Sequence, residues 1–248
     1  IKKELHVRGV EPFALSMEPL IRINVFKNGE NSHLVLCVMH HIISDGWSME
    51  VIVRDLFNLY EELIQNEVIK EEQLPIQFKD FAVWEQKQKQ SEAYEMMKAY
   101  WSSVFEGTIP VLDLKLSKQR PQLKSLNGKT LRATIDNELL STLRTNTQGE
   151  TLFMSLFSLV NVVLYLHSDQ TDVIIGSPVA GRNHADLHNQ IGPYLNTLAL
   201  RTQFASEDQF SSVLDLVKNN LMEAYKNQDY PIDDVLNELK LERDPSRN

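Results

Sequence analysis

Apolar positions along this chain fall into short unbroken runs and longer helical repeats, and the two alternate. Residues 20–26 and 34–39 read as two strands joined through Asn28-Gly29, a hairpin-type turn signal. The second run, Leu34-Val35-Leu36-Cys37-Val38-Met39, has no polar alternation and suits a strand covered on both faces. Over 48–66, Val51, Ile52, Leu56, Leu59, Leu63 and Ile64 recur at helical spacing, with Glu61 and Glu62 toward water. A single helix is expected over 78–105, with Trp84, Met97, Trp101 and Val104 turned to a core and Glu85-Gln86-Lys87-Gln88-Lys89-Gln90 forming a solvated face. The stretch 117–128, with Arg120-Pro121 and Asn127-Gly128, breaks the helical pattern, and a boundary is placed there between halves 1–116 and 117–248. Beyond it come a strand over 130–135, a helix with Asp136 as N-cap, a helix over 151–167, a short buried strand over 173–176 and a weakly alternating strand over 194–204. Phe210, Val213, Leu214, Val217 and Leu221 then mark another amphipathic helix. The order is mixed α/β, with no internal repeat.

Composition narrows the function classes. With 248 residues, 42% of them hydrophobic, the chain can bury one large core or two smaller ones. A formal charge of −9 lacks the basic footprint of a nucleic-acid binder. No apolar run approaches the length of a membrane span. The single cysteine, Cys37, reads as core filler in the buried strand and leaves no disulfide framework or thiolate metal cluster, consistent with a reducing cytoplasm.

The candidate chemistry lies where the second strand ends, in His40-His41-Ile42-Ile43-Ser44-Asp45-Gly46. Histidine is the side chain that changes charge near neutral pH, so the pair delivers a proton acceptor to a strand tip. If the strand persists through the pair, alternation sends His40 and His41 to opposite faces, and one of them is structural. Asp45 can pair with an arginine and brace the loop, and Gly46 allows a tight backbone that no side chain obstructs. The helix that follows presents unpaired N–H groups and a partial positive charge beside the histidines. Competing chemistries are poorly served. His184 and His188 have the spacing of a helical ligand pair, but no Glu follows His184, and no metal site is expected. Ser44 lacks a GxSxG nucleophile elbow. Arg182 and Asn183, after Pro178-Val179-Ala180-Gly181, serve as an ordinary turn and stay outside the site.

HHIISDGWS resembles the HHxxxDG signature of condensation domains of nonribosomal peptide synthetases, relatives of the chloramphenicol acetyltransferase fold. Four further segments are similar to that family's motifs, in order: Phe78-Lys79-Asp80-Phe81-Ala82-Val83-Trp84 to YxDYAVW, Ile191-Gly192-Pro193-Tyr194-Leu195-Asn196-Thr197 to IGxFVNT, Asn227-Gln228-Asp229-Tyr230-Pro231 to HQDxP, and Arg243-Asp244-Pro245-Ser246-Arg247-Asn248 to RDxSRNP. The family's SxAQ and RHExLRT segments have no counterpart before His40, so the chain reads as an internal fragment of a little over half a domain. A piece lacking whole strands is expected to aggregate or be partly unfolded alone, since the stability of a domain is only about 5–15 kcal/mol.

The resemblance implies an α/β fold of two mixed-sheet subdomains forming a V with the active site at their interface. It implies peptide-bond formation between a carrier-bound aminoacyl or peptidyl thioester donor and a carrier-bound aminoacyl acceptor. Its partners would be upstream and downstream peptidyl carrier domains and an adjacent adenylation domain, with no nucleic acid and no membrane. No cofactor would be bound directly; the phosphopantetheine arms of the carriers bring the substrates. By position, His41 is the catalytic histidine, His40, Asp45 and Gly46 support it, and Ser44, Trp47, Tyr194 and Asn196 line the channel. Asp45 then orients the loop, with an arginine partner expected in the missing N-terminal segment. The Ser44 context leans toward members that join two L-configured residues. Alternatives are an epimerisation domain, a standalone acyltransferase of the same superfamily, or a noncatalytic relative that recruits partners, in which the histidine motif is degenerate. An α-amine titrates at about 7.7–8.0, so part of it is already neutral near pH 7. His41 can therefore serve as proton acceptor, or as a hydrogen-bonding group that positions the amine and stabilises the tetrahedral intermediate.

Overall fold

The computed structural model describes residues 2–17, 19–65, 74–115, 121–125, 127–147 and 149–240; the Arg243-to-Asn248 motif and part of the 117–128 break lie outside them. Among these residues the chain forms α1 (Lys2–Val10), β1 (Ile21–Lys27), β2 (His33–Met39), α2 (Gly46–Ile64), α3 (Phe78–Gln88), α4 (Glu92–Val104), α5 (Asn137–Asn146), α6 (Leu152–Ser168), β3 (Asp172–Val179), a 3-10 turn (Ala185–Leu187), β4 (Asn196–Gln203), α7 (Phe210–Lys226) and α8 (Ile232–Leu239). The expected α/β class holds.

Two compact units emerge, one of Ile1–Lys87 with Ala180–Leu195, the other of Gln88–Val179 with Asn196–Asn248. This grouping follows contact rather than the chain-order division expected at 117. The helix α4 joins the later elements because Tyr94 and Trp101 bury in their core. The segment between β3 and β4 joins the first unit because Arg182 pairs with Asp45.

In the first unit β1 and β2 pair antiparallel from Ile21↔Met39 to Lys27↔His33, as the hairpin signal implies. The strand β2 is not covered on both faces: Leu34 is 36% and Val35 47% exposed, and Cys37 is only half-buried. Its one strand partner among the described residues is β1, so the pair is an open ribbon. The helix α2 begins two residues before the periodicity placed it, because Asp45 caps it.

In the second unit β3 and β4 pair antiparallel from Asp172↔Gln203 to Val179↔Asn196. Both sheets among the described residues are two-stranded and antiparallel. Leu198 and Leu200 of β4 pack with Trp101, Met154, Phe157, Val213, Val217 and Leu221 in the core. Asp136 and Thr151 cap α5 and α6, their side chains accepting from the Leu139 and Met154 N–H groups. The helix expected over 78–105 is broken at 89–91, because Ser91 caps a new helix by accepting from the Tyr94 N–H at 3.2 Å. Trp101 is buried as expected, whereas Trp84 is 49% exposed. The strand expected over 130–135 is absent: its backbone has no strand partner among the described residues, and Leu131 is 85% exposed. The helices α1 and α8 escaped the pattern reading; α1 buries none of its residues, so no apolar stripe marks it.

Candidate active site

Strand β2 ends at Met39, and the His40 N–H closes the ribbon by donating to the Leu20 carbonyl at 3.0 Å. The backbone then turns. The His40 carbonyl accepts the Ile43 N–H at 3.1 Å and the Ser44 hydroxyl at 3.3 Å, while His40 Nδ1 accepts the Ile42 N–H at 3.1 Å. The histidines therefore occupy a turn, and strand alternation is not what separates them. His40 is half-buried and its ring nitrogen is spent on the turn; His41 is exposed, and its ring has no hydrogen bond among the described residues. Ser44 is buried with its hydroxyl turned into the same loop, away from the channel role expected of it.

The turn leads directly into the cap of α2. Asp45 Oδ1 accepts the Ser48 N–H at 2.7 Å and the Ser48 hydroxyl at 2.6 Å, satisfying a donor that a helix start leaves unpaired. The same carboxylate meets Arg182 Nη2 at 3.0 and 3.1 Å, and both side chains are 0% exposed. Arg182 Nη1 donates to the carbonyls of Leu187 at 2.6 Å and Gln190 at 2.7 Å. The Tyr194 N–H reaches Asp45 Oδ2 at 3.3 Å, and the Gly192 N–H donates to Ser48 Oγ at 3.0 Å. One buried carboxylate thus binds the histidine turn, the start of α2 and the segment Ala180–Leu195.

The arginine partner of Asp45 lies within this chain, not in a missing segment, and it is a residue the sequence reading left in an ordinary turn. The signal available was Gly181 before it, a mark of unusual backbone. Burial alone would raise the Asp45 pKa; the hydrogen bonds from Ser48 and the Arg182 guanidinium more than offset this, and the carboxyl titrates below its ordinary range.

The flanking aromatics belong to this brace. The Arg182 guanidinium lies 4.3 Å from the Tyr194 ring centroid and 5.8 Å from that of Trp47. Phe78 and Phe81 pack edge-on against Tyr194 at 5.2 and 4.8 Å. Trp47 Nε1 donates to the His188 carbonyl at 2.8 Å, and the two rings lie 5.7 Å apart. Among the described residues a Cβ at Gly46 would meet nothing within 4 Å, so their packing does not require glycine there.

The Tyr194 hydroxyl is buried without a hydrogen-bond partner among the described residues. Tyr194→Phe removes an unsatisfied group and keeps the ring, so it is expected to leave stability unchanged within about 1 kcal/mol or to raise it. Calorimetric melting of the parent domain checks this; a fall of several degrees would mean the hydroxyl is paired.

Asn196 stands at the start of β4 in the second unit. Its Nδ2 donates to the carbonyls of Gln228 at 2.7 Å and Tyr230 at 2.8 Å, and its Oδ1 accepts the N–H groups of Thr197 at 2.8 Å and Ile232 at 3.1 Å. The amide is consumed in fastening the turn before α8, a holding role where a channel role was expected.

Among the described residues no group of three or more His, Cys, Asp or Glu could hold a metal ion. His184 caps the 3-10 turn, and His188 Nε2 lies 3.1 Å from the Arg182 carbonyl. No described helix is long and apolar enough to cross a membrane. What the arrangement offers chemically is one exposed imidazole on a turn fastened from behind. Its free ring nitrogens can accept a proton or donate a hydrogen bond to a bound molecule.

The family model described as "Condensation domain" matches residues 2–248. Gramicidin S synthase 2 of Aneurinibacillus migulanus is 41% identical over 245 residues, covering 96% of this chain and 5% of the synthase. The X-domain in its complex with OxyB from teicoplanin biosynthesis superposes with a TM-score of 0.88 at 24% identity, over 99% of this chain and 56% of the other. The first condensation domain of the calcium-dependent antibiotic synthetase, in complex with a substrate analogue, gives 0.74 at 22% identity, over 96% and 52%. The chain thus spans about half the length of these solved structures and a small part of the synthase.

Proposed function

As the chain belongs to the condensation-domain family, we propose that it forms the peptide bond between a carrier-bound aminoacyl or peptidyl thioester and a carrier-bound aminoacyl acceptor in nonribosomal peptide synthesis. The acceptor amine attacks the donor thioester carbonyl, the C–N bond forms, the C–S bond breaks, and the donor carrier's phosphopantetheine thiol leaves. The proton lost by the amine nitrogen ends on the departing sulfur, so amine and thioester become amide and thiol. The observation that supports the reading is the division of labour in HHIISDG: His40 and Asp45 are spent on the fold, and His41 alone is exposed with its ring unengaged among the described residues. Both substrates arrive on phosphopantetheine arms of neighbouring carrier domains, with an adenylation domain in the same parent chain, in the cytoplasm and as part of antibiotic biosynthesis.

His41 takes the amine proton, or hydrogen-bonds the amine and the tetrahedral intermediate. General-base catalysis is typically worth about 100-fold or more, and orientation on an already activated thioester less. The test uses the complete parent module with both carriers loaded, following the carrier-bound dipeptidyl product by intact mass with and without His41→Ala. A loss of about 100-fold or more supports an obligatory base, and a smaller loss supports positioning. Equal rates remove His41 from the chemistry. No product from either form, with both carriers shown to be loaded, sinks the proposal in favour of an epimerising or partner-recruiting relative.

A further inference from the structure

We infer that Phe13 and Arg22 are positioning residues for His41, acting through the ring of His40; the inference rests on the role proposed for His41. Arg22 sits on β1 opposite Val38 of β2, close to the end of the ribbon where the histidine turn begins. Its guanidinium folds back over the segment before β1. It donates to the carbonyls of Glu11 and, at 3.3 Å, Pro12, pairs with the Glu11 carboxylate at 3.6 Å, and lies 3.9 Å from the Phe13 ring centroid. Phe13 in turn meets the His40 ring at 6.1 Å between centroids and 89° between planes, an edge-to-face contact.

The consequence lies in what the His40 ring does. Its Nδ1 accepts the Ile42 N–H at 3.1 Å. A neutral imidazole that accepts at Nδ1 carries its proton on Nε2, and rotation of the ring away from Ile42 ends the bond. That bond spans the peptide units on either side of His41, so it sets the direction in which His41 leaves the backbone. The guanidinium fixes residues 11–13, Phe13 fixes the plane of the His40 ring, and the ring fixes the turn.

The test uses the complete parent module with loaded carriers in single turnover, comparing Phe13→Leu, Phe13→Tyr and Arg22→Gln in both wild-type and His41→Ala backgrounds. Leucine keeps the apolar volume and loses the ring edge; tyrosine keeps both. Phe13→Leu and Arg22→Gln are expected to lower the rate constant by about three- to tenfold, the range one aromatic contact supports. Product amplitude and carrier affinity should stay unchanged, Phe13→Tyr should match wild type, and neither substitution should slow the His41→Ala module further. An unchanged rate constant in Phe13→Leu, while His41→Ala is slow, overturns the bracket alone. So does a loss confined to amplitude, which reports unfolding, or an equal loss in the His41→Ala background. If His41→Ala itself is as fast as wild type, the reading of His41 falls and the bracket falls with it.

Discussion

Arg182→Ala is expected to destabilise the unit that carries the histidine turn by about 3–5 kcal/mol, because it leaves the Asp45 carboxylate buried without its counter-charge. The measurement is the melting temperature and denaturant midpoint of the parent domain. The loss should exceed that of removing any exposed pair, such as Arg54 with Asp55, for which such pairs typically contribute about 1 kcal/mol or less. Lysine is not expected to rescue fully. The guanidinium serves the carboxylate with one nitrogen and the Leu187 and Gln190 carbonyls with the other, and an ammonium cannot reproduce that fork. The pair also sets an acid limit. The folded pKa of Asp45 lies below its ordinary value of 3.8, so its stabilisation is fully present above that value and is lost as pH falls through the lower folded one. The domain should keep this contribution above that value and lose it below, with a shallower decline in Asp45→Asn. A variant Arg182→Ala as stable as wild type would contradict the brace.

Gly181→Ala is expected to be comparably damaging for a different reason. Gly181 has φ +63, and a Cβ built on it would overlap the Tyr194 carbonyl oxygen. The left-handed backbone alone costs about 1 kcal/mol for alanine, but the overlap is with backbone and cannot be relieved by a rotamer change. The segment would have to part from itself, and the expected loss is about 4 kcal/mol or more. Gly192 offers a graded comparison: there a Cβ meets Phe78 Cδ2 at 2.6 Å and Tyr194 Cε2 at 2.8 Å, side-chain atoms that can move. The order of melting temperatures should be wild type, then Gly192→Ala, then Gly181→Ala. Limited proteolysis of the parent domain should cut 180–195 first in the last variant. Equal melting temperatures would mean that Gly181 is not needed for the approach.

Much of this was legible along the chain because it depends on local preference. Asp136 and Thr151 cap helices where short polar residues precede apolar repeats, and β1, β2 and α2 lie close to the apolar runs that mark them. The histidine motif was legible as well, being contiguous in sequence. Other features depended on contacts the pattern does not contain. Ser91 broke an expected helix because a capping hydroxyl outweighed a continuing apolar rhythm. Residues 130–135 have strand-like alternation and no partner to pair with among the described residues. A strand exists only when another backbone satisfies it.

The amino-acid sequence determined the α/β class, the family and the histidine motif, since propensity, periodicity and a contiguous motif are properties of neighbours along the chain. Only the tertiary structure decided which arginine braces Asp45, that Asn196 holds a turn, and that Phe13 and Arg22 stand behind His40. Arg182 is far from Asp45 in sequence, and a buried charge is satisfied by whichever partner the fold brings within hydrogen-bond reach. That distance is set by packing and leaves no periodic trace in the chain.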